Sequence, residues 1–314
     1  MLTRRQLRIK VFQALYAYYS AEDRDLAKAL KRLQANVEGI YRLYLHDLKA
    51  LLEIHEQALE VIEKSRRKHL PSQEDIHPNT RFVDNPVFRQ LLINKDLTEK
   101  FEGQKISWRD YKDTFFKIYQ SIRKNDDRFA RYMSGSEPAY KDHKSMVKYI
   151  YGKYIAQNET IHQLYEDMDI QWADDLEPAQ MMVVKTLKAL NEDSDAEFKL
   201  PSLFNDDEDR GFPGLLFRKV ISGDEEFENM ISEKTRNWET DRIAMADIIM
   251  MKMALAELTG FQEIPVKVTL NEYIDLGKLY STPKSSQFIN GVLDRLVSQL
   301  EGENRIQKVG RGLL

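Results

Sequence analysis

The feature that most constrains this chain is a run after Thr240 that is apolar on nearly every side. Ile243, Ala246, Ile249, Met250, Met253, Ala254 and Leu258 repeat at helical spacing, and Met245, Ile248 and Met251 fill the opposite side. Such a helix has little surface left for water, so it belongs in the middle of a core with other helices around it. Thr240 is placed to cap its start, Gly260 to stop it and Pro265 to begin the next helix. That second helix carries Val266, Leu270, Tyr273, Ile274 and Gly277 on one stripe. A third, opened by Thr282-Pro283, carries Phe288, Ile289, Val292, Leu293, Leu296, Val297 and Leu300. The three together predict an all-α bundle, with Ile249, Met253, Leu270, Ile289 and Leu293 in one core.

The polar residues inside this pattern are more specific than the apolar ones. Ile264-Pro265-Val266-Lys267-Val268 is followed by Asn271-Glu272, then Gly277-Lys278, then Phe288-Ile289-Asn290-Gly291-Val292-Leu293-Asp294. Ala254-Leu255-Ala256-Glu257-Leu258 precedes them. This order of motifs resembles the C-terminal half of the NusB family, with its "A-x-x-E-L", "P-x-x-V-x-x-N-E" and "F-V-N-G-V-L-D" segments.

Composition excludes several function classes. The chain has 314 residues and no cysteine, which removes disulfides, thiolate catalysis and the common zinc fingers. Met1 begins a charged helix rather than a signal peptide, and Asp247 interrupts the longest apolar run far short of a membrane span. A soluble cytoplasmic protein is expected. With a formal net charge of -4, any nucleic-acid contact must use a local basic patch.

Such a patch stands at the start. Thr3 can cap a helix through about Ser20, with Leu7, Val11, Phe12, Leu15 and Tyr19 on its buried side. The other side shows Arg4, Arg5, Arg8 and Lys10, and no acid appears before Glu22. Cations at a helix N-terminus oppose the macrodipole by roughly 0.3–1 kcal/mol each, so either a solvated basic face or an anion-binding surface accounts for them. The family resemblance extends here through Gln13-Ala14-Leu15-Tyr16, which matches its "Q-A-L-Y" after an Arg-rich start that contacts RNA. Gln6 departs from that start, standing where another arginine is often found.

Between these two regions lies a large helical addition. Residues 36–69 read as one long helix with a seam of Val37, Tyr41, Tyr44, Leu48, Leu51, His55, Ala58 and Ile62, and Pro71, Pro78 and Pro86 then break the chain. The tryptophans Trp108, Trp172 and Trp238 stand 64 and 66 residues apart. Laying Trp172 on Trp238 matches Tyr151 with Phe217, Ile155 with Ile221 and Leu164 with Met230. This is the spacing of degenerate tandem repeats, although helical sequences also align readily without common origin. Acids gather from Asn191 to Arg210 around Pro201. The expected organisation is a first helix over residues 1–24, a helical insertion over 25–200, the NusB-like C-terminal core over 201–302 and a flexible basic tail over 303–314.

Catalytic motifs are missing. His46, His55, His69, His77, His143 and His162 never fall at H-x-x-x-H spacing, and no phosphate-binding glycine loop or G-x-S-x-G elbow occurs. A binding protein rather than an enzyme is expected, without cofactors. The resemblance implies an RNA-binding transcription antitermination factor that pairs with NusE, a small-subunit ribosomal protein. The pair would act on boxA RNA with the RNA polymerase antitermination complex, notably in ribosomal RNA operons. It implies RNA contacts at Arg4, Arg5, Arg8, Lys284, Ser285 and Phe288, and partner contacts at Tyr16, Asp241 and Asp247. Two alternatives stay open: a helical protein-interaction scaffold in transcription or ribosome assembly whose RNA surface is lost or covered, and a homodimer that buries the first helix.

Overall fold

The computed structural model describes residues 1–235 and 243–313. Trp238, Thr240 and Asp241 therefore lie outside the described residues. Fifteen helices and no strand are found among the described residues, so the protein is all-α. The chain divides into two compact units, one of Met1 with Glu38–Leu203 and one of Leu2–Val37 with Phe204–Leu314.

The second unit contains α1 (Arg4–Ser20) and the start of α2 (Leu26–Arg66). Its C-terminal part holds α11 (Asp207–Ser222), α12 (Asp224–Thr235), α13 (Met245–Gly260), α14 (Val266–Tyr280) and α15 (Ser285–Gly302). As its composition requires, α13 is buried on all sides from Ile249 to Leu258, packed against α1, α11, α12, α14 and α15. It begins at Met245, with Ala244 rather than Thr240 at the N-cap. Ile249, Met253, Ile289 and Leu293 share the core, but α14 is rotated so that Leu270 is only half-buried and the neighbouring Thr269 is fully inside. Gly277 lets α14 and α15 approach closely, since a Cβ there would lie 2.8 Å from Cδ1 of Ile289.

The tail expected to be free is folded back. Val309 N–H donates to Gln262 O at 3.1 Å, and Lys308 Nζ donates to Phe261 O at 2.9 Å. Gly310 adopts φ +53°, and a Cβ on Gly312 would stand 1.9 Å from Gln262 O. The glycines that suggested looseness are what allow the tail this close to the α13–α14 turn.

The first unit is built around the rest of α2, which starts earlier than expected because Asp25 Oδ1 accepts from Lys28 N–H at 3.0 Å. Around it run α3 (Gln73–Ile76), α4 (Pro86–Ile93), α5 (Lys95–Gly103), α6 (Lys112–Asn125), α7 (Asp127–Ser134), α8 (Tyr140–Tyr154), α9 (Glu159–Met168) and α10 (Leu176–Ala189). Asparagine and aspartate start four of them: Asn85, Asn94, Asp126 and Asn158 each accept a first-turn N–H. From Leu43 to His55, α2 is buried apart from Lys49. Its polar residues there bond outward to the surrounding helices. Asp47 accepts from the hydroxyls of Tyr151 and Tyr165, each at 2.7 Å, and Tyr44 meets Thr186 at 2.8 Å. Trp108 Nε1 donates to His46 O at 3.0 Å, and the Trp172 ring stands 5.3 Å from the His46 ring. The two described tryptophans of the spaced series thus converge on one residue of α2.

His46 and Asp47 give this core opposing pH dependences. Burial, aided by Arg42, lowers the His46 pKa from 6.5 to about 4, so between those values the unfolded chain holds more protons and stability rises with pH. Burial raises Asp47 from 3.8 to about 6 against its two tyrosine hydrogen bonds, so over that range the folded chain holds the extra proton and stability falls as pH rises. Asp47→Asn removes only the second slope. The melting temperature of this variant should climb more steeply from pH 4 to 6 than that of the wild type; parallel profiles would mean that Asp47 keeps an ordinary pKa when buried.

Candidate functional site

The basic start of the chain is held in a dense set of ion pairs. Thr3 and Gln6 form a capping box, Gln6 Oε1 accepting from Thr3 N–H at 2.8 Å. Gln6, the departure from the arginine pattern, thus closes the helix start. Arg8 does not lie on an exposed face. It is 2% exposed and forks onto Glu257 of α13, Nε to Oε2 at 2.8 Å and Nη2 to Oε1 at 2.7 Å. The same carboxylate accepts from Thr269 Oγ1 at 2.8 Å and from the Tyr273 hydroxyl at 3.0 Å. Burial works against the Arg8 charge, but its hydrogen bonds to Glu257 outweigh it and raise its pKa above the usual value. Lys10 is buried as well. Both were expected on the solvent side because they are charged; a bidentate partner is what brings Arg8 in.

Arg4 and Arg5 reach the surface, yet both are paired. Arg4 Nε donates to Asp209 at 2.9 Å, and Nη2 to Glu208 at 3.4 Å. Arg5 forks onto Glu272 at 3.0 and 3.1 Å and also reaches Asp275 at 2.8 Å. Arg4, Arg5 and Arg8 line one cleft with Glu263, Pro265 and Glu272, and the folded-back tail adds Arg311 to its rim. Sequence reasoning missed Arg311 because a short Gly-rich tail reads as unstructured.

The remaining candidates lie at the other end of α13. The Arg8–Glu257 pair and the Lys252 ammonium 5.2 Å from the Tyr19 ring set α1 antiparallel to α13, and Phe12 meets Tyr280 at 5.2 Å. Tyr16, 44% exposed and beside Phe12, is thereby carried toward the start of α13. Asp247 sits in the first turn of α13 rather than in mid-helix, where an acid suits the dipole. It is only 4% exposed, and its Oδ1 has no hydrogen-bond partner. Lys252 pairs instead with Asp224 and Glu228, at 2.7 and 2.6 Å. At the start of α15, Lys284 is exposed and Phe288 half-buried. Ser285 is buried and bonds the hydroxyls of Ser281 and Thr282, each at 2.8 Å. From Asp275, which Arg5 contacts, to Ser281 the rise along α14 is on the order of 10 Å.

These features define an all-helical bundle unit whose first helix is tied by ion pairs to α11, α13 and α14. The family model described as "NusB family" matches residues 177–298. The transcription antitermination protein NusB of Salinibacter ruber is 40% identical over 142 residues, which is 43% of this chain and 89% of that relative. The proteins of the same name from Chloroherpeton thalassium and Syntrophotalea carbinolica are 36% and 38% identical. Those matches cover 32% and 28% of this chain, and 47% and 56% of the two relatives. No solved structure matches. The chain belongs to the NusB family.

Glu257 has no solvent to fall back on. Glu257→Gln leaves the buried Arg8 guanidinium with only the more distant Glu272 carboxylate, at 3.6 Å, and should cost roughly 3 kcal/mol in urea unfolding. A loss below about 1 kcal/mol would place the pair in contact with water.

Proposed function

We propose that the protein is an RNA-binding transcription antitermination factor that pairs with NusE on boxA RNA and supports readthrough of ribosomal RNA operons. The relatives named for antitermination support the class. The observation that carries the partner half is Asp247. A carboxylate oxygen removed from water and left without a donor is unfavourable in the free protein, and a basic residue of a docked partner would supply what it lacks. Tyr16, 44% exposed beside Phe12, is open to a partner as an aromatic anchor should be. Asp241 belongs to this reading by position in the sequence alone.

For RNA at the α1 surface, Arg4, Arg5, Arg311 and Lys284 are side chains able to meet phosphate. Phe288 can offer part of a ring to a base, while Arg8 and Ser285 hold the surface in place from inside. One observation favours the scaffold alternative: Arg4 and Arg5 already have carboxylates, which phosphate must displace. A gel-shift with boxA RNA, with and without NusE, separates the two readings, because a scaffold gives no shift in either lane.

Two substitutions test the parts. Arg4→Ala with Arg5→Ala should weaken RNA binding and flatten its salt dependence by about 0.7 in slope for each phosphate no longer neutralised. Unchanged affinity and slope would favour the scaffold. Asp247→Asn keeps shape and removes charge; titration calorimetry should show NusE binding about tenfold weaker or worse, with the free variant no less stable than wild type. Wild-type affinity would mean that NusE docks elsewhere.

A further inference from the structure

The α8 helix of the first unit carries cations that the proposed function leaves unused. Lys141, Lys144 and Lys148 fall on one face at i, i+3 and i+7, across about 10 Å of helix. They line a cleft with Arg128, Tyr140 and Tyr149, and residues 191–193 form its other wall. Lys141 and Lys148 have no hydrogen bond or ion pair among the described residues. Lys144 donates to the carbonyls of Lys188 and Leu190 at 2.8 and 2.6 Å, and Arg128 donates to Ser145 Oγ at 2.8 Å. None of the four is ion-paired with a carboxylate among the described residues, although Glu192 and Asp193 stand across the cleft. Other lysines of this unit do have carboxylate partners, as Lys112 has Glu56 and Glu60, and Lys153 has Asp126.

Crowding like charges costs free energy, and Glu192 and Asp193 across the cleft offset it without forming an ion pair to any of the four. Burial and the neighbouring Lys148 push the Lys144 amine below its usual pKa. Planar groups lie among these cations. The Arg128 guanidinium sits 4.3 Å from the centre of the Tyr149 ring, whose hydroxyl is tied to Asp126 at 2.6 Å. The Tyr140 hydroxyl is tied to Gln90 at 2.7 Å. Cations in a row beside anchored flat groups suit a single-stranded nucleic acid, whose phosphates take the ammonium groups and whose bases take the planes. An acidic peptide would use only the first of these.

We propose that this cleft binds the backbone of single-stranded RNA, as a second binding surface of the chain in addition to the one at α1. It rests on the proposed function for the identity of the ligand and on separate residues for its place. The test uses the full chain and a fluorescent oligouridine of about 20 nucleotides, with anisotropy followed across a salt series. Lys141→Glu with Lys148→Glu should weaken binding about tenfold or more and flatten the salt slope by about 0.7 for each phosphate released from the cleft. An effect from Arg4→Ala with Arg5→Ala alone overturns this inference and leaves the proposed function standing. An effect from the α8 pair alone does the reverse for the α1 surface. Amine-selective labelling of the wild type gives a reading that needs no variant: oligouridine should protect Lys141 and Lys148 but not the exposed Lys124. Equal labelling with and without RNA, or equal protection by polyglutamate, overturns the assignment.

Discussion

The fork between Arg8 and Glu257 is the constraint on which the NusB-like unit depends. Two charges removed from water cost several kcal/mol each, and their attraction offsets this only where the geometry is good and the remaining lone pairs are used. Here Thr269 and Tyr273 of α14 take up both oxygens of Glu257. One carboxylate therefore ties α1, α13 and α14 at a single level. Sliding α1 by a turn would strand a charge in the core, so the pair sets register more than it adds net stability. Tyr16 on α1 and Tyr280 on α14 take their positions from that register.

α13 carries three ionisable residues at intervals of five, and their environments differ by level. Glu257 is fully satisfied inside, and Lys252 is held between Asp224 and Glu228. Asp247 alone keeps a buried oxygen without a partner. In the first unit most buried polar side chains are paired, although His46 Nδ1 and Trp172 Nε1 have no partner. His55 Nε2 lies 2.9 Å from Val83 O, and Gln57 donates to Glu53 at 3.0 Å on the buried run of α2. Of the four buried side-chain atoms left without a partner among the described residues, Asp247 Oδ1 is the one that belongs to an acid, and it stands where the family resemblance implies a partner.

How much of this is legible in the sequence depends on whether polarity and burial agree. The helices α13 to α15 can be read because apolar spacing and burial coincide there. Their motifs carry the family, since Asn-Glu and Asn-Gly pairs are not demanded by helix formation. Where charge and burial part company the sequence misleads. Arg8 and Lys10 read as solvent-facing, and the centrality of α2 is hidden by His46, Asp47, Glu53 and Gln57, which interrupt its apolar run. The tail reads as loose because composition cannot report that Gln262 O waits for Val309 N–H. Asp247 stands out in the sequence as an anomaly but reads as a mid-helix residue, for want of any signal that α13 starts at Met245.

The pairing of the arginines bears on how the proposed RNA surface could work. A free arginine offers phosphate its full charge; Arg4 and Arg5 offer only the difference between phosphate and the carboxylates they already hold. Each exchange would also leave Asp209, Glu272 or Asp275 facing a polyanion. Such a surface would bind RNA weakly by itself and would gain most from whatever lowers the cost of the exchange. A basic partner docked at Asp247 would do so by adding positive charge to the same bundle, and further cations on the same chain would do so by holding the strand nearby. Lys284, exposed and without an ion pair among the described residues, makes no exchange at all. On these grounds, in the proposed function, the first phosphate would engage at the α15 end, and the arginines of α1 would follow only once the strand is held.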